Sequence, residues 1–430
     1  MPTDYATLHL TLEDAASHRT GMPRHDYSYG GHGFSVRDVV RSLRSLPMTA
    51  EPRTAFQYSN MMYIAISHLI ETLTGKWLGD VLSERVWKPL GMTRTYFSLA
   101  QAKAAVDNGE AELARGYLWD NLKGEHSPVD WVDLPVISGA GAMISNVLDY
   151  AKWLQFLIDK GDLLSETQHE ELRTPRINAL LMKVPILKGA QSYALGWYVL
   201  NYRGEPLIMH DGSLPGFGVT MGYLPSKKFG FAMMGNSAGT SNFACSTLTV
   251  RLLDDYFGVP QEKRLALAPV FDEQTRVETD RLRQPKQNLY PTAPNGTDAL
   301  PLSRPLEAYT GLYSNPGYRN ITITLGSVAN ATSQTQSPLV ISCPKPTQCL
   351  TSTWDRSWPV LFDFEHVGGE FFVLRGYDDP QLDNRDLNDP FQVSIFKAEF
   401  RIGEDGKISE FGAAIEPKMG EEKVWFRKLD

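Results

Sequence analysis

Apolar spacing predicts three amphipathic helices in the first 257 residues of the chain. From Met61 to Thr74, apolar side chains recur every three or four positions, and Gly75 follows as a C-terminal stop. A second helix is predicted to begin after Asn146, whose side chain can cap it, and to carry an apolar stripe as far as Leu157. A third helix is predicted over residues 242–256. Each of these helices is therefore expected to bury one face.

Between the second and third helices the period of the apolar pattern falls to two, which indicates β-strands. Alternating runs lie at Leu207–Met209, Val219–Tyr223 and Phe229–Met234, and a polar turn at residues 225–228 separates the last two. This arrangement predicts an antiparallel meander. Together with the helices, it places the first part of the chain in the α+β class.

The pattern changes again after a polar stretch, residues 258–305, that is rich in Pro, Gly and Asn and reads as a surface linker. Beyond it, short β-branched or aromatic runs alternate with clusters of Gly, Asn and Asp, which predicts a small all-β barrel or sandwich. These runs are Asn320–Leu325, Leu339–Ser342, Val360–Phe364, Phe371–Leu374 and Gln392–Phe400. The predicted domains are therefore residues 1–257 and 306–430, joined by the linker.

Composition excludes several classes of function. A formal net charge of −8 argues against a nucleic-acid-binding surface, which depends on clustered Lys and Arg. The longest apolar runs are well short of the roughly 20 residues that cross a bilayer. The first residues have neither a basic region nor a small-residue cleavage site, so no signal peptide is predicted. We therefore expect a soluble protein that binds neither nucleic acid nor membrane.

The cysteines and histidines show no metal-ligand spacing, so neither a metal nor another cofactor is predicted. Cys245 lies in the third predicted helix and is interpreted as a small buried apolar residue. Cys343 and Cys349 could close a short disulfide loop, but two unpaired thiols fit their spacing equally well. Three N-x-[ST] sequons favour a secreted protein only weakly: Asn295, Asn320 and Asn330.

Three short motifs carry groups that suit acyl transfer. Tyr58 and Asn60 lie on a loop directly before the first predicted helix. About 150 residues later, a strand ends in His210, Asp211 and Gly212, and the segment Ser17–Pro23 precedes both motifs. Each motif alone is common in unrelated chains, where the tyrosine packs at a helix start or the histidine lies in a turn. In this order, however, they predict a pocket that receives a phenol, an amide and an imidazole.

These motifs resemble those of the serine β-lactamases and penicillin-binding proteins, most closely the class C-like esterases, D-aminopeptidases and transesterases. Further runs that fit are Lys88–Met92, Gly139–Asn146 and Leu195–Trp197, and the resemblance covers residues 5–257. The block Leu306–Phe426 resembles the lipocalin-like barrel appended to some members. The resemblance implies a β-lactamase/transpeptidase-like antiparallel sheet flanked by helices, a helical subdomain, and a small all-β barrel after them.

The resemblance also implies a role for each site residue. Tyr58 would relay protons to and from the nucleophile and the leaving group, and Asn60 would orient the substrate's carbonyl or amide. His210 takes the place of the family's lysine in a Lys-Thr-Gly strand and would stabilise a tyrosinate or hold a substrate carboxylate. Gly212 would let the substrate lie close along the strand. The backbone N–H of Ser213 would supply half of an oxyanion hole.

The family's nucleophile is the serine of an S-x-x-K motif upstream of the tyrosine loop. Only six residues precede the first matched segment, which begins at Thr7, so we expect this chain to be truncated and to hold no nucleophile. The S-x-x-K run that starts at Ser342 lies in the predicted barrel, where Pro344 breaks the helix that the motif needs. Ser59 and Ser213 lie in the site motifs, but no lysine follows three residues after either.

Two functions are therefore open. The first is a serine hydrolase or acyltransferase that acts through an acyl-serine on esters, amides or D-amino-acid peptides and is inactive as the truncated chain. The alternative is a non-catalytic binding protein that keeps the cleft. In both, the partner is a small-molecule or peptide acyl substrate, and the oligomeric state is left open. The barrel would either bind a ligand of its own or shape access to the cleft as a lid, and the lid is favoured.

Overall fold

The computed structural model describes residues 1–31, 33–120, 124–180, 187, 189–293, 299–326, 349–378 and 392–429. The chain forms two compact units. The first unit is made of Met1–Arg24, Pro47–Trp119 and Gly124–Gln274. The second includes His25–Leu46 and Thr275–Asp430. An early segment of the chain therefore belongs to the same compact unit as the C-terminal domain, which the sequence did not predict.

Thirteen α-helices lie in the described part of the chain. Their ends follow local rules: Asn146 caps one helix by accepting from the N–H groups of Leu148 and Asp149, and Gly75 ends another at φ +65°. They are α1 Asp4–His9, α2 Leu12–Ala16, α3 Val36–Ser42, α4 Asn60–Thr74, α5 Leu78–Leu82, α6 Lys88–Leu90, α7 Leu99–Asp107, α8 Ser138–Gly141, α9 Val147–Asp159, α10 Glu166–Arg173, α11 Thr240–Tyr256, α12 Ala268–Arg283 and α13 Pro285–Leu289.

The first unit contains two sheets. The smaller has the order β2-β1-β9, with β1 and β9 parallel, and the larger is a six-stranded antiparallel sheet in the order β3-β4-β5-β6-β7-β8. The strands are β1 Gly116–Asp120, β2 Glu125–Val129, β3 Ile177–Asn178, β4 Ser192–Tyr193, β5 Tyr198–Tyr202, β6 Glu205–Leu214, β7 Phe217–Leu224, β8 Phe229–Gly235 and β9 Ser237–Ala238. The predicted meander is therefore present as β6, β7 and β8.

Helices cover both faces of the six-stranded sheet. Neighbouring residues of a strand point to opposite faces, so Leu207 and Ile208 of β6 enter different cores. Ile208 packs in a cluster with Leu154 and Leu157 of α9, whereas Leu207 packs in a cluster with Leu253 of α11. The sheet is thus fixed from both sides. Because its strands are held in this way, groups at the end of β6 have a rigid support.

Strand β6 is longer than its neighbour β5, and this difference leaves an open edge. The last pair between β5 and β6 joins Tyr198 to Met209, whereas the pairing of β6 with β7 continues as far as Leu214. Within the part of the unit that the structure describes, residues 210–214 therefore have a strand partner on the β7 side only. The residues that carry the predicted chemistry of β6 all lie in this overhang.

The second unit contains a closed antiparallel barrel of eight strands in sequential order, closed by pairing of the first strand with the last. Aromatic side chains that are buried fill its interior, among them Phe362, Phe372, Phe400, Phe411 and Phe426. The strands are β10 Gly311–Asn315, β11 Arg319–Gly326, β12 Cys349–Trp354, β13 Val360–Gly368, β14 Phe371–Asp378, β15 Gln392–Ile402, β16 Ile408–Ala413 and β17 Val424–Leu429.

The early segment His25–Leu46 packs into this second unit. The ring of Tyr27 lies edge-on to Trp354 and Phe396, with ring centroids 6.0 and 5.5 Å apart, and its hydroxyl donates to Oγ of Ser394. The backbone N–H of His25 donates to the buried carboxylate of Glu416 at 2.7 Å. The barrel core is thus completed by side chains that come from far away in the sequence.

The antiparallel sheet with flanking helices and the eight-stranded barrel confirm the predicted fold class. The predicted linker, residues 258–305, contains two helices that the sequence analysis did not predict, α12 and α13. Helix α12 has few apolar residues, and ion pairs such as Arg276–Asp280 link its exposed turns, so apolar periodicity did not reveal it. The domain boundaries drawn from the sequence stay predictions.

Several smaller predictions can be placed on the structure. Cys245 is a buried free thiol on α11, and Cys349 is disulfide-bonded, while Cys343 lies outside the described residues. Asn320 is exposed on β11, whereas Asn295, Asn330 and the predicted strand Leu339–Ser342 lie outside the described residues. Among the helices that the structure describes, none is long and apolar enough to cross a membrane.

Candidate active site

The hairpin of β4 and β5 brings two tyrosines beside the open edge of β6. Tyr193 pairs with Tyr198 across the hairpin, and Tyr198 pairs in turn with Met209, the residue before His210. The turn between the strands places Gly196 at φ +83°, where a Cβ would lie 3.0 Å from the hydroxyl of Tyr63. Only glycine fits this position without strain. The Leu195–Trp197 motif therefore keeps the two phenols close to the candidate site.

Both ring nitrogens of His210 are engaged in hydrogen bonds. Nδ1 lies 2.6 Å from the carbonyl oxygen of Asp211, which can only accept, so Nδ1 carries a proton. Burial lowers the pKa of His210, although the Asp211 carboxylate opposes that shift, and the ring is therefore neutral. Nε2 then accepts a hydrogen bond from the hydroxyl of Tyr193 at 3.0 Å. A neutral imidazole bonded in this way has no charge to offer a tyrosinate or a substrate carboxylate.

Tyr58 lies on the loop before α4, and Asn60 is the first residue of that helix. The residue between them, Ser59, has extended backbone angles of φ −145° and ψ 112°, and extended residues alternate in direction. Ser59 is fully buried, whereas Tyr58 and Asn60 are half-buried. The ring centroid of Tyr58 lies 6.2 Å from that of His210. The structure thus brings together the phenol and the imidazole that the sequence singled out.

His18 lies beneath this loop. Its Nδ1 accepts a hydrogen bond from the backbone N–H of Ser59 at 3.1 Å, and its ring lies 4.3 Å from that of Tyr58 and 5.0 Å from that of Tyr193. Burial is the main cause that lowers the pKa of His18 to about 3; the neighbouring His210 ring, which disfavours two positive charges side by side, and the charge of Arg24 add to it. His18 is therefore neutral at ordinary pH and carries its proton on Nε2. That nitrogen has no hydrogen-bond partner among the described residues.

A salt-bridged network fixes the chain on either side of His18. The buried carboxylate of Asp14 accepts from Nε of Arg19 at 2.6 Å and from Nη2 of Arg53 at 2.7 Å. It also caps α2 by accepting from the N–H of Thr11. Burial opposes ionisation of Asp14, but these hydrogen bonds outweigh that effect and hold its pKa far below the ordinary value. Asp14 thus supports the segment that holds His18, and the sequence analysis missed it.

Arg24 is a second residue that sequence reasoning missed. Its guanidinium carbon lies 5.2 Å from the ring centroid of Tyr58. Its charge also lowers the pKa of His18 and opposes the rise in the pKa of Tyr198, so it acts on several groups of the site. The signal was available, because Arg24 directly follows the segment Ser17–Pro23 that had been singled out.

Gly212 and Ser213 lie in the overhang of β6, where α11 supports them. The side-chain amide of Asn242 donates to the carbonyl oxygen of Gly212 at 2.9 Å. A Cβ at Gly212 would lie 3.0 Å from Cγ2 of Val219 on the neighbouring strand, so the space on that side is already occupied. Asn242 therefore positions this part of the strand and is a third residue that motif reading did not find.

Ser59 and Ser394 are poorly placed to act as nucleophiles. The hydroxyl of Ser59 is buried and has no hydrogen-bond partner among the described residues, so no base is in place to take its proton. The run Ser394–Lys397 also fits S-x-x-K, but it lies on β15, where residues three apart point to opposite faces. Ser394 is buried, and Lys397 pairs with Glu421 at 2.5 Å. Ser342, the run considered from the sequence, lies outside the described residues.

Side chains that bind metal ions do not cluster among the residues that the structure describes. Across the described ranges, no group of three or more His, Cys, Asp or Glu side chains is placed to hold a metal ion.

Comparison with known proteins decides the family. Residues 2–256 match the family model described as Beta-lactamase, which is more than half of the chain. The chain belongs to the beta-lactamase family. In this beta-lactamase-family chain, residues 298–428 match a second model, described as Domain of unknown function (DUF3471), which covers the barrel. The family resemblance inferred from the motifs is confirmed.

Curated relatives of this beta-lactamase-family chain include two fungal hydrolases. It is 37% identical to "Unguisins hydrolase ungD'" of Aspergillus campestris, over 99% of this chain and 74% of that protein. It is 34% identical to "Unguisins hydrolase ungD" of Aspergillus violaceofuscus, over 98% of this chain and 73% of that protein. Among solved structures, the octameric penicillin-binding protein homologue from Pyrococcus abyssi matches with a TM-score of 0.51 at 19% identity, covering 97% of this chain and 78% of that chain. That likeness shows the fold alone.

Proposed function

We propose that this chain forms an acyl-transfer site of a serine hydrolase that cleaves esters, amides or D-amino-acid peptides through an acyl-serine intermediate. The observation that carries the proposal is the position of Tyr58 and His210, whose rings lie 6.2 Å apart beside the open edge of β6. A phenol next to an exposed strand edge can move a proton while the strand holds the reacting carbonyl. The names of the two Aspergillus relatives support hydrolysis rather than transfer to another acceptor.

The open edge suits an extended acyl substrate. Residues 210–214 have no described strand partner on the side where β5 has ended, and an extended peptide can add to such an edge through main-chain hydrogen bonds. We assign the backbone N–H of Ser213 to the developing oxyanion, and the side-chain amide of Asn60 to the carbonyl or amide next to the scissile bond. Gly212 presents no side chain that could obstruct this binding mode.

Tyr58 is proposed to move the proton in both halves of the reaction. As the hydroxyl oxygen of the nucleophilic serine bonds to the substrate carbonyl carbon, the phenolate of Tyr58 accepts the hydroxyl proton. The resulting phenol then donates that proton to the leaving nitrogen or oxygen as its bond to the carbonyl carbon breaks. In the second half, water attacks the acyl carbon and gives its proton to the phenolate of Tyr58. The phenol then donates that proton to the serine oxygen as the acyl–serine bond breaks, which releases the acid and restores the phenolate.

His210 has a supporting role in this scheme. Because it is neutral and bonded at both nitrogens, we assign it to shaping the pocket wall and holding the phenol of Tyr193 in place, rather than to charge stabilisation. We assign the nucleophile to the serine of the family's S-x-x-K motif, which lies upstream of the tyrosine loop. Ser59 and Ser394 are disfavoured for the reasons given above.

The test compares two proteins, the 430-residue chain and the product of the full reading frame that encodes it. Each is treated with a fluorophosphonate probe and with p-nitrophenyl acetate and D-phenylalanine p-nitroanilide, and any modified residue is mapped by mass spectrometry. We expect labelling of an S-x-x-K serine, turnover of at least one substrate, and a loss of about 100-fold or more in kcat for Tyr58→Phe. Labelling at Ser59 or Ser213 would contradict the assignment of the nucleophile. Tight binding of substrate without any labelling would instead support the non-catalytic alternative.

A further inference from the structure

The site contains two imidazoles beside Tyr58, and neither supplies a positive charge. The rings of His18 and His210 lie 4.3 and 6.2 Å from the ring of Tyr58. His210 is neutral because its Nδ1 proton bonds to a carbonyl oxygen, its Nε2 accepts from Tyr193, and burial disfavours the charged form. His18 is neutral because burial holds its pKa at about 3. A phenolate at Tyr58 therefore needs a cation from elsewhere.

Among the described residues, the three phenols that interact with Tyr58 do not supply that charge either. Burial raises the pKa of three phenols that interact with Tyr58, which are Tyr63, Tyr193 and Tyr198, so all three stay neutral. The carboxylate of Asp211 also acts on this cluster and raises the pKa of Tyr198. A negative charge at that position disfavours a second anion nearby. Without a compensating cation, the surroundings would oppose ionisation of Tyr58.

Arg24 is the cation that the structure places against this phenol. Its guanidinium carbon lies 5.2 Å from the ring centroid of Tyr58, within the range of cation–π attraction. A guanidinium stays charged across the whole working pH range, unlike either imidazole. Ionisation of the phenol spreads negative charge into the ring that faces Arg24, so the attraction grows as Tyr58 becomes an anion.

We propose that Arg24 stabilises the anionic form of Tyr58 and thereby sets the pH at which this phenol can accept a proton. The inference rests on the proposed function only in its catalytic consequence, since the interaction between the guanidinium and the phenol exists without substrate. Arg24 acts through Tyr58 and is in this sense a positioning residue. In this scheme the permanent charge of Arg24 stabilises the tyrosinate, a role that the resemblance had assigned to His210.

The experiment measures the titration of Tyr58 directly. Ultraviolet difference spectra at about 295 nm between each protein and its Tyr58→Phe counterpart isolate this one phenolate from the other tyrosines. The proteins are the wild type, Arg24→Gln, Arg24→Lys and, as a control, Arg85→Gln, whose charge acts on Glu84 rather than on the candidate site. Circular dichroism on each variant verifies that it is folded.

We expect Arg24→Gln to move the Tyr58 titration to higher pH by about one unit, with Arg24→Lys in between and Arg85→Gln unchanged. If the full-frame product turns over p-nitrophenyl acetate, its kcat at pH 7 should fall about tenfold in Arg24→Gln, with the acidic limb of the pH profile moved in the same direction. Absence of turnover would count against the proposed function alone. An unmoved titration in Arg24→Gln, or an equal shift in Arg24→Lys, would overturn the role of the Arg24 charge.

Discussion

The hydroxyl of Tyr193 donates a 3.0 Å hydrogen bond to Nε2 of His210. Together with the bond from Nδ1 to the Asp211 carbonyl, it selects one tautomer and one orientation of the imidazole. Two residues 17 positions apart, on different strands, thus combine with burial to hold the His210 ring in its neutral form. Because this ring is neutral, the proposed stabilisation of a Tyr58 anion depends on Arg24 rather than on the histidine that the motif pointed to.

Tyr193→Phe should raise the pKa of His210. Donation of a proton to Nε2 favours the neutral ring, so its loss removes one of the forces that hold that pKa below the ordinary value. The measurement is the titration of the His210 ring protons by NMR. Tyr198→Phe is the matched control, because its ring lies 5.4 Å from that of His210 and loses the same hydroxyl. Equal shifts in the two variants would show that the Tyr193 hydrogen bond is not the cause.

His18→Asn should remove one component of acid sensitivity from the protein. With a folded pKa of about 3 against an unfolded value near 6.5, His18 binds a proton only in the unfolded chain between those two pH values. The free energy of unfolding therefore falls as pH drops through this window, by about 1.4 kcal/mol per pH unit. Urea titrations at pH 7, 6, 5 and 4 measure it, and the slope should be shallower in His18→Asn.

The choice of asparagine at this position follows from the structure. The amide oxygen of Asn can accept the Ser59 N–H bond as Nδ1 does, and Asn tolerates the φ of +54° found at His18. His18→Ala keeps neither advantage, and its free energy of unfolding at pH 7 should be about 1–3 kcal/mol lower than that of His18→Asn. If wild type and His18→Asn show the same slope, His18 is not the titrating group.

Asp14→Asn should destabilise the first unit at pH 7 by about 1.5–3 kcal/mol, the usual range for a hydrogen-bonded charge of this kind. The pKa of Asp14 is depressed in the folded state, so its contribution is present above its unfolded pKa, near 4, and is lost as pH falls below that value. Asp38→Asn is the control, because Asp38 fills the same capping position on α3, where its carboxylate accepts from Ser35. Comparable losses for both variants, by urea denaturation, would mean that capping alone explains the effect.

The C-terminal domain should depend on a piece of chain from near the N-terminus. A fragment of residues 298–430 lacks Tyr27 and therefore loses the ring contacts with Trp354 and Phe396 in its core. We expect this fragment to melt at a lower temperature than the same unit in the whole protein. A synthetic peptide of residues 25–46 should raise that temperature in a concentration-dependent way, and a Tyr27→Ala peptide should not. A fragment that melts unchanged with either peptide would contradict the dependence.

Local sequence signals predicted most of the elements that frame the site. Helix α4 follows from its apolar spacing and Gly75, and the meander follows from alternation, because these signals act between residues close together in the chain. Helix α12 was missed because exposed charged residues dominate it and its stability does not come from one apolar stripe. The early segment in the second unit was missed for a different reason, since no local pattern encodes a partner some 300 residues away.

The candidate site shows the same division. Tyr58 and His210 could be found because they lie in short motifs with a recognisable order. The neutral state of His210 could not be predicted from the sequence, because it depends on burial and on a phenol from another strand. Arg24 likewise acquires its role only when the chain folds its guanidinium over the Tyr58 ring.

The packing of His25–Leu46 in the barrel unit also means that this segment is synthesised long before the strands against which it packs. Strand β10 begins about 260 residues after this segment ends, and ribosomes add about 5–20 residues per second. The segment, with Tyr27 and Tyr29, must therefore wait roughly 13–50 seconds before the first barrel strand is made, and longer for the whole barrel. During that interval its aromatic side chains lack their final partners. Slower translation of the C-terminal half is therefore expected to lengthen the time in which these aromatic side chains are exposed and can aggregate.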